Sequence, residues 1–213
     1  MENSILNGKT LVALGDSLIY GSKLGNDATW VNKLGKKHHM NYYNYGINGN
    51  SIAKVDTESK EPMCVRYADM NDTADYVVVL GGANDLRLNV PIGENTDKDI
   101  HTFKGALNTL INGLAEKYPK AKMLFMTNYR RWDKINDNGD TELDYVLAME
   151  EICHIHSVPC FNNYYNAGIS FYHPAHLAWM DEGISLGENS NRHFSDEAYT
   201  WFTDRYEKVL ESL

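Results

Sequence analysis

Short apolar runs recur along the chain and predict the strands of a sheet. The runs Thr10–Leu14, Tyr76–Leu80 and Met123–Thr127 are almost continuously apolar, which is typical of strands that are covered on both faces. Tyr42–Ile47 and Pro159–Phe161 predict two further strands. Glycine or polar residues follow most of these runs, so each strand is expected to lead into a loop.

Apolar residues between these runs follow helical spacing. The clearest helix is predicted over Asp99–Tyr118, where apolar residues at i, i+3, i+4, i+7 and i+8 form one stripe and Pro119 ends the segment. Helices are also predicted over Trp30–His39, Thr141–His156 and Ser195–Leu213. The first residue of the last segment, a serine, is suited to be its N-cap.

Strands and helices therefore alternate, which predicts an α/β fold. We expect a three-layer α/β/α sandwich around a central parallel sheet of about five strands, in a flavodoxin-like arrangement. No linker or change in composition divides the chain, so residues 1–213 are expected to form a single domain. Ligands bind such sheets beyond the carboxyl ends of the strands. The polar residues that follow the strands are thus expected to meet at one edge.

The charge balance narrows the classes of function. Twenty Lys and Arg face 29 Asp and Glu, for a net charge of −9, which disfavours binding to nucleic acid or to an anionic membrane. No signal peptide pattern opens the sequence, and the three cysteines are sparse, so we expect reduced thiols and a cytoplasmic location. Export by another route or a phage origin would give the same pattern, and the sequence does not indicate an oligomeric state.

Four residues at predicted strand ends or in loops are candidates for chemistry. Ser17 follows the first strand and could act as a nucleophile if a histidine such as His193 removed its proton. Gly49 would let a backbone N–H approach a ligand. Asn84 follows the third strand, where its amide could donate to a developing negative charge while Asp85 braces the loop. Each residue alone is more typical of a turn, a cap or a solvated loop.

Together these residues form a recognisable set of sequence blocks. LVALGDSLIYG, NYGINGNS and VVVLGGANDLR occur in this order before a late histidine, and the pattern resembles the SGNH hydrolases, also called the GDSL esterase/lipase family. The resemblance implies an SGNH-hydrolase type of fold, with Ser17 as nucleophile and His193 as general base. It also implies an oxyanion hole made by the backbone N–H groups of Ser17 and Gly49 and the side chain of Asn84. No metal or organic cofactor is implied.

The last block departs from the family's pattern, Asp-x-x-His-Pro. Ser190 stands at the position of the Asp, and Phe194 replaces the proline. The group that orients the catalytic histidine therefore stays open between Asp181, Glu188, Ser190 and a backbone carbonyl.

Several other motifs are weaker. The segment 183–187, GISLG, fits the nucleophile motif G-x-S-x-G but lacks the strand that should precede it. His173 is followed by proline, as the catalytic histidine is in the family's pattern, and it is the alternative candidate for that role. However, no closing helix directly follows it. A cluster of metal-binding residue types is expected to point in divergent directions: Cys153, His154, His156 and Cys160. Neither a metal site nor a nucleotide-binding loop is predicted.

Aromatic and cationic residues also lie where the site is expected. Loop aromatics that would suit a sugar ring or an acyl chain are Tyr129, Trp132, Tyr164, Tyr165, Phe171, Tyr172 and Trp179. Arg87, Arg130 and Arg131 at strand ends could bind an anionic substrate or pair with the surplus of carboxylates.

The resemblance and these residues favour a serine esterase or acylhydrolase. The expected reaction removes a small acyl group, such as acetyl, from a carbohydrate or other polar alcohol through an acyl-enzyme on Ser17. A lysophospholipase or thioesterase is the second enzymatic alternative. A catalytically impaired SGNH-like module that binds a glycan is the non-enzymatic one. The expected partner is a small-molecule or glycan ester, without nucleic acid.

Overall fold

Five parallel strands form the centre of the protein. The computed structural model describes residues 4–131, 135–169, 173–180 and 193–213. The strands are β1 (Thr10–Gly15), β2 (Asn41–Gly46), β3 (Tyr76–Leu80), β4 (Lys122–Met126) and β5 (Cys160–Phe161). They pair in the order β2-β1-β3-β4-β5, which confirms the predicted parallel sheet. The strand order reverses between β1 and β3, and a crevice for ligands is expected at such a point.

Four longer helices cover the sheet, and each overlaps a helix predicted from the sequence. They are α2 (Trp30–Lys37), α5 (Phe103–Lys117), α6 (Glu142–Ile155) and α9 (Asp196–Glu211). The shorter helices are α1 (Ser17–Tyr20), α3 (Met63–Arg66), α4 (Ala83–Arg87), α7 (Asn163–Asn166) and α8 (Pro174–Leu177). Two 3-10 turns occur at Asn26–Ala28 and Tyr67–Asp69.

Side-chain caps set where the longer helices begin. The Ser195 hydroxyl accepts a hydrogen bond from the backbone N–H of Ala198, which confirms Ser195 as the N-cap of α9. Helix α5 begins later than predicted, because the Thr102 hydroxyl caps it by accepting from the N–H of Gly105. The start predicted at Asp99 is therefore wrong.

Alternating residues of the strands divide the core into two parts. Leu11 and Ala13 of β1 belong to the same apolar cluster as Phe202 of α9, whereas Val12 and Leu14 belong to the cluster that contains Phe103 of α5. Apolar side chains thus fill both faces of the sheet, which produces the predicted three layers. Within the described ranges, no helix is long and apolar enough to span a bilayer.

Two glycines allow α1 to lie against the ends of the first two strands. A Cβ atom at Gly46 would stand 2.2 Å from the backbone nitrogen of Tyr20, and one at Gly15 would stand 2.4 Å from Cγ1 of Ile19. Because neither glycine has a side chain, the helix that begins with Ser17 can pack directly onto the carboxyl edge of the sheet.

Candidate active site

The strand register brings the candidate residues to one edge of the sheet. Gly15 at the end of β1 pairs with Gly46 of β2 and with Leu80 of β3, so these three strands end at the same level. Ser17 and Gly49 follow the ends of β1 and β2 by a few residues, and Asn84 lies in the first turn of α4 beyond β3.

Ser17 and His193 are in direct contact. Ser17 is the first residue of α1, and the preceding Asp16 caps this helix by accepting a hydrogen bond from the N–H of Leu18 at 2.9 Å. His193 Nε2 lies 2.7 Å from Ser17 Oγ, and both residues are buried. An imidazole without a proton on Nε2 can accept the hydroxyl proton at this distance.

The surroundings of His193 keep its imidazole neutral. Burial, together with the smaller effect of the positive charges of Arg131 and Lys23, lowers the pKa of His193 to about 4. The ring is therefore neutral near pH 7, as a general base must be.

The other ring nitrogen of His193 is not paired within the described residues. Nδ1 is buried, and it forms no hydrogen bond with any described group. The groups proposed from the sequence to orient this ring, Asp181, Glu188 and Ser190, all lie outside the described residues. The GISLG segment, residues 183–187, lies outside them as well.

His173, the alternative candidate for the catalytic histidine, lies at the start of α8. His173 is exposed, and its Nδ1 accepts a hydrogen bond from the N–H of Ala175 at 3.2 Å, so it caps α8. Of the two histidines, His193 is the one in contact with Ser17.

Two backbone N–H groups at this edge of the sheet are available to a ligand. Gly49 adopts φ +73° in the turn from Ile47 to Asn50, a left-handed conformation that favours glycine. Among the described residues, no acceptor takes a hydrogen bond from the N–H of Ser17 or of Gly49. These groups can thus donate to an oxygen that carries negative charge.

Asn84 connects the serine turn to the glycine turn. Its Nδ2 donates to Asp16 Oδ2 at 3.2 Å and to the carbonyl oxygen of Asn50 at 3.1 Å. Its Oδ1 accepts from Nε of Arg87 at 3.2 Å. One Nδ2 hydrogen must leave its present acceptor before Asn84 can donate to an oxyanion.

Two further side chains brace these turns. The carboxylate of Asp85 accepts from the N–H groups of Ile52 and Ala53 at 3.0 and 2.9 Å, as expected for a residue that braces the loop. Arg66 was not identified from the sequence. Its guanidinium donates to the carbonyls of Gly15 and Tyr45 at 2.7 and 2.6 Å, and its Nε donates to the side chain of Asn50 at 2.7 Å.

The two buried carboxyls beside these turns have altered acidities. Burial raises the pKa of Asp85 to about 6, although its two backbone donors oppose the rise. Burial also raises the pKa of Asp16, and the positive charges of Arg131 and Arg66 oppose that rise. Both carboxyls are thus more easily protonated than an exposed aspartate.

Arg131 and Tyr129 settle two expectations from the sequence. Arg131 is buried beside Glu142, with Nε 3.9 Å from the carboxylate, and so pairs with a carboxylate of its own chain. The placement of Tyr129 at the rim is wrong, because it is 1% exposed and packs against Phe194 and Phe202. Trp132, Phe171 and Tyr172 lie outside the described residues.

Within the described ranges, no group of three His, Cys, Asp or Glu side chains could hold a metal ion.

Comparisons with known proteins identify solved structures that share this fold. A solved structure 32% identical to the chain aligns over 98% of both chains with a TM-score of 0.87. A protein from Lactobacillus plantarum is 26% identical over 97% of this chain and 98% of its own, with a TM-score of 0.82. A carbohydrate acetylesterase family member from Sinorhizobium meliloti is 14% identical over 96% and 98%, with a TM-score of 0.64. A search of the curated proteins found no match.

The match to a protein family covers most of the sequence. Residues 13–201 match the family described as GDSL-like Lipase/Acylhydrolase. This range contains Ser17, Gly49, Asn84 and His193. The protein therefore belongs to the GDSL-like lipase/acylhydrolase family.

Proposed function

We propose that the protein is a serine esterase that removes a small acyl group, such as acetyl, from a carbohydrate or other polar alcohol. The observation that carries the proposal is the 2.7 Å contact between Ser17 Oγ and His193 Nε2. These residues stand at opposite ends of the chain, so the fold itself must bring them together. A serine with a neutral histidine on its hydroxyl is the arrangement that nucleophilic catalysis requires.

The proposed reaction begins with proton transfer from Ser17 to His193. The Ser17 oxygen forms a bond to the ester carbonyl carbon, and the carbonyl π electrons move onto oxygen. The resulting oxyanion accepts hydrogen bonds from the N–H groups of Ser17 and Gly49 and from Asn84. His193 then gives its proton to the alcohol oxygen as the carbon–oxygen bond breaks.

Water then hydrolyses the acyl-enzyme, with water as the attacking group and Ser17 as the leaving group. His193 takes a proton from water, the water oxygen attacks the acyl-enzyme, and Ser17 leaves with the proton returned by His193. The proposed acceptors for the Nδ1 hydrogen of His193 remain Asp181, Glu188, Ser190 and a backbone carbonyl.

The proposed class of substrate is supported by a structural relative. The structural relative from Sinorhizobium meliloti is described as a carbohydrate acetylesterase family member, and it shares the fold. Acetylated sugars are therefore the natural substrates to test first.

The decisive experiment compares native protein with Ser17→Ala on p-nitrophenyl acetate, butyrate and octanoate. We expect turnover to fall by at least about 10⁴-fold in the variant, because the bond-forming atom is lost. A fluorophosphonate probe should label the native protein and not the variant. Ser212→Ala, which changes an exposed serine at the end of α9, is the matched control and should retain both properties.

Either of two results would overturn the proposal. One is turnover that survives in Ser17→Ala at the native rate. The other is a native protein that hydrolyses none of the esters and leaves the probe unreacted, which would favour the glycan-binding module.

A further inference from the structure

Two cationic side chains converge beside Gly49. A Cβ atom built on this glycine would stand 3.4 Å from Nζ of Lys60 and 3.8 Å from Nη2 of Arg87. Both nitrogens thus border one small space, next to a backbone N–H that has no acceptor among the described residues.

Both cations are held in place by neutral groups. Lys60 Nζ donates to the carbonyl oxygen of Asn48 at 2.7 Å, and Arg87 Nε donates to Oδ1 of Asn84 at 3.2 Å. Neither residue forms an ion pair with a carboxylate in the described parts of the chain.

The two neighbouring cations form a positively charged patch on a chain of net negative charge. The chain carries a net charge of −9, so carboxylates are abundant, and yet these two cations have none. Neighbouring like charges repel each other, and an anion placed between them would relieve that repulsion. Arg131 differs, since it is buried against Glu142.

We propose that Lys60 and Arg87 form an anion subsite, and that the preferred substrate is an ester whose alcohol carries a negatively charged group near the scissile bond. This inference rests on the proposed esterase function. The charge belongs to the alcohol because the proposed acyl group is small. A carboxylate and a phosphate both fit, since the guanidinium and the ammonium bind either one.

Three acetyl esters of related phenols test the subsite. Methyl para-acetoxybenzoate is neutral, para-acetoxybenzoate carries a carboxylate and para-acetoxyphenyl phosphate carries a phosphate. The measured quantity is the charge preference, which is kcat/KM for a charged ester divided by kcat/KM for the neutral ester. The two charged esters show which anion the subsite accepts.

We expect Lys60→Gln and Arg87→Gln each to lower the charge preference about three- to fivefold, which is the scale of an exposed ion pair. The double variant should lower it about tenfold. Lys60→Arg should retain most of it, because the charge is kept. Lys120→Gln is the matched control, since it removes an exposed cation just before β4, at the other end of the sheet, and should leave the preference unchanged.

Ionic strength gives a second measure on the native protein. Raising it from about 0.01 M to 1 M shortens the screening length from about 30 Å to about 3 Å. The charge preference should shrink accordingly, while turnover of the neutral ester changes much less.

The outcomes separate this inference from the proposed function. Equal losses on charged and neutral esters in the two Gln variants would assign the cations to the oxyanion and overturn the subsite. An unchanged charge preference in both variants would also overturn it, although the esterase would stand.

A binding measurement tests the anion subsite independently of ester hydrolysis. If the native protein hydrolysed none of the esters, calorimetric titration of Ser17→Ala with para-acetoxybenzoate would still test it. Weaker binding in the Ser17→Ala, Lys60→Gln double variant would support the subsite. Equal binding would exclude it.

Discussion

The two halves of the candidate site are built in different ways. The nucleophile side consists of the turns after β1, β2 and β3, and polar side chains such as Arg66, Asn84 and Asp85 connect them. The histidine side consists of residues 193–195 and the groups that pack on them. There, Phe194 is 1% exposed and lies among the aromatic rings of Tyr129, Tyr199 and Phe202.

The contrast shows which kind of force suits each task. Hydrogen bonds have direction, so they can set where an N–H points relative to an oxyanion. Aromatic packing around Phe194 fixes the position of the neighbouring His193 by shape, and the imidazole contacts Ser17. This packing supplies no hydrogen-bond partner for Nδ1 of His193 among the described residues. The backbone adds an anchor, since the N–H of Ser195 donates to the carbonyl of Trp179 at 2.8 Å.

The largest effect should come from breaking the histidine side at its functional group. We expect His193→Ala to lower kcat/KM for p-nitrophenyl acetate by about 10⁴-fold or more, because the serine loses its base. The matched change His173→Ala should leave turnover within about twofold, since that residue is exposed, caps α8 and makes no contact with Ser17. A loss of less than tenfold in His193→Ala would show that the 2.7 Å contact is not catalytic.

A smaller effect should follow from breaking the polar network on the nucleophile side. Asn84→Ala is expected to lower kcat by about 10²–10³-fold if its amide donates to the oxyanion, with little change in KM. Thermal unfolding of the variant, followed by circular dichroism, separates this effect from loss of the contacts to Asp16 and Asn50. A loss below tenfold in a folded variant would remove Asn84 from the mechanism.

The smallest expected effect is on the pH dependence of kcat/KM, which reports on the surroundings of His193. The pKa of His193 is lowered to about 4, so its neutral form persists into acid, and the titration of His193 should leave kcat/KM level from pH 7 to about 5. Below about pH 4 it should fall tenfold per pH unit. Lys23→Gln removes one of the charges that lower this pKa, so the acid limb should move to higher pH.

Circular dichroism at each pH is the control for unfolding. An acid limb centred near 6.5, the ordinary value for histidine, would contradict the environment assigned to His193 if it persisted in Asp85→Asn, because Asp85, whose pKa is raised to about 6, titrates in the same range.

The spacing of apolar residues was enough to predict the strands and the longer helices, because the buried face of each element must be apolar. The β3 run Tyr76–Leu80 agrees with its prediction at both ends. The short helices α1 and α4 were not predicted, since four or five residues are too few to show a period. They depend on local features, such as the Asp16 cap and the left-handed Gly82, whose effect appears only in three dimensions.

The supports of the site were harder to predict than its candidate residues. Ser17 and Asn84 stand in sequence blocks that a reader can recognise. Arg66 has no such signal, because its acceptors lie at the end of β1 and in β2 with the turn after it, which only the fold brings together. Tyr129 was misplaced since a tyrosine in a loop sequence gives no indication of its burial.

The glycines at the ends of β1 and β2 have a consequence for laboratory evolution. Every side chain introduced at Gly46 would press on the backbone of Tyr20, and one at Gly15 would press on Ile19. Libraries that seek a new substrate range should therefore leave positions 15 and 46 unvaried, although neither residue is proposed to touch the substrate. Diversity is better placed at Lys60 and Arg87, where exposed side chains can change without displacing the helix that carries Ser17.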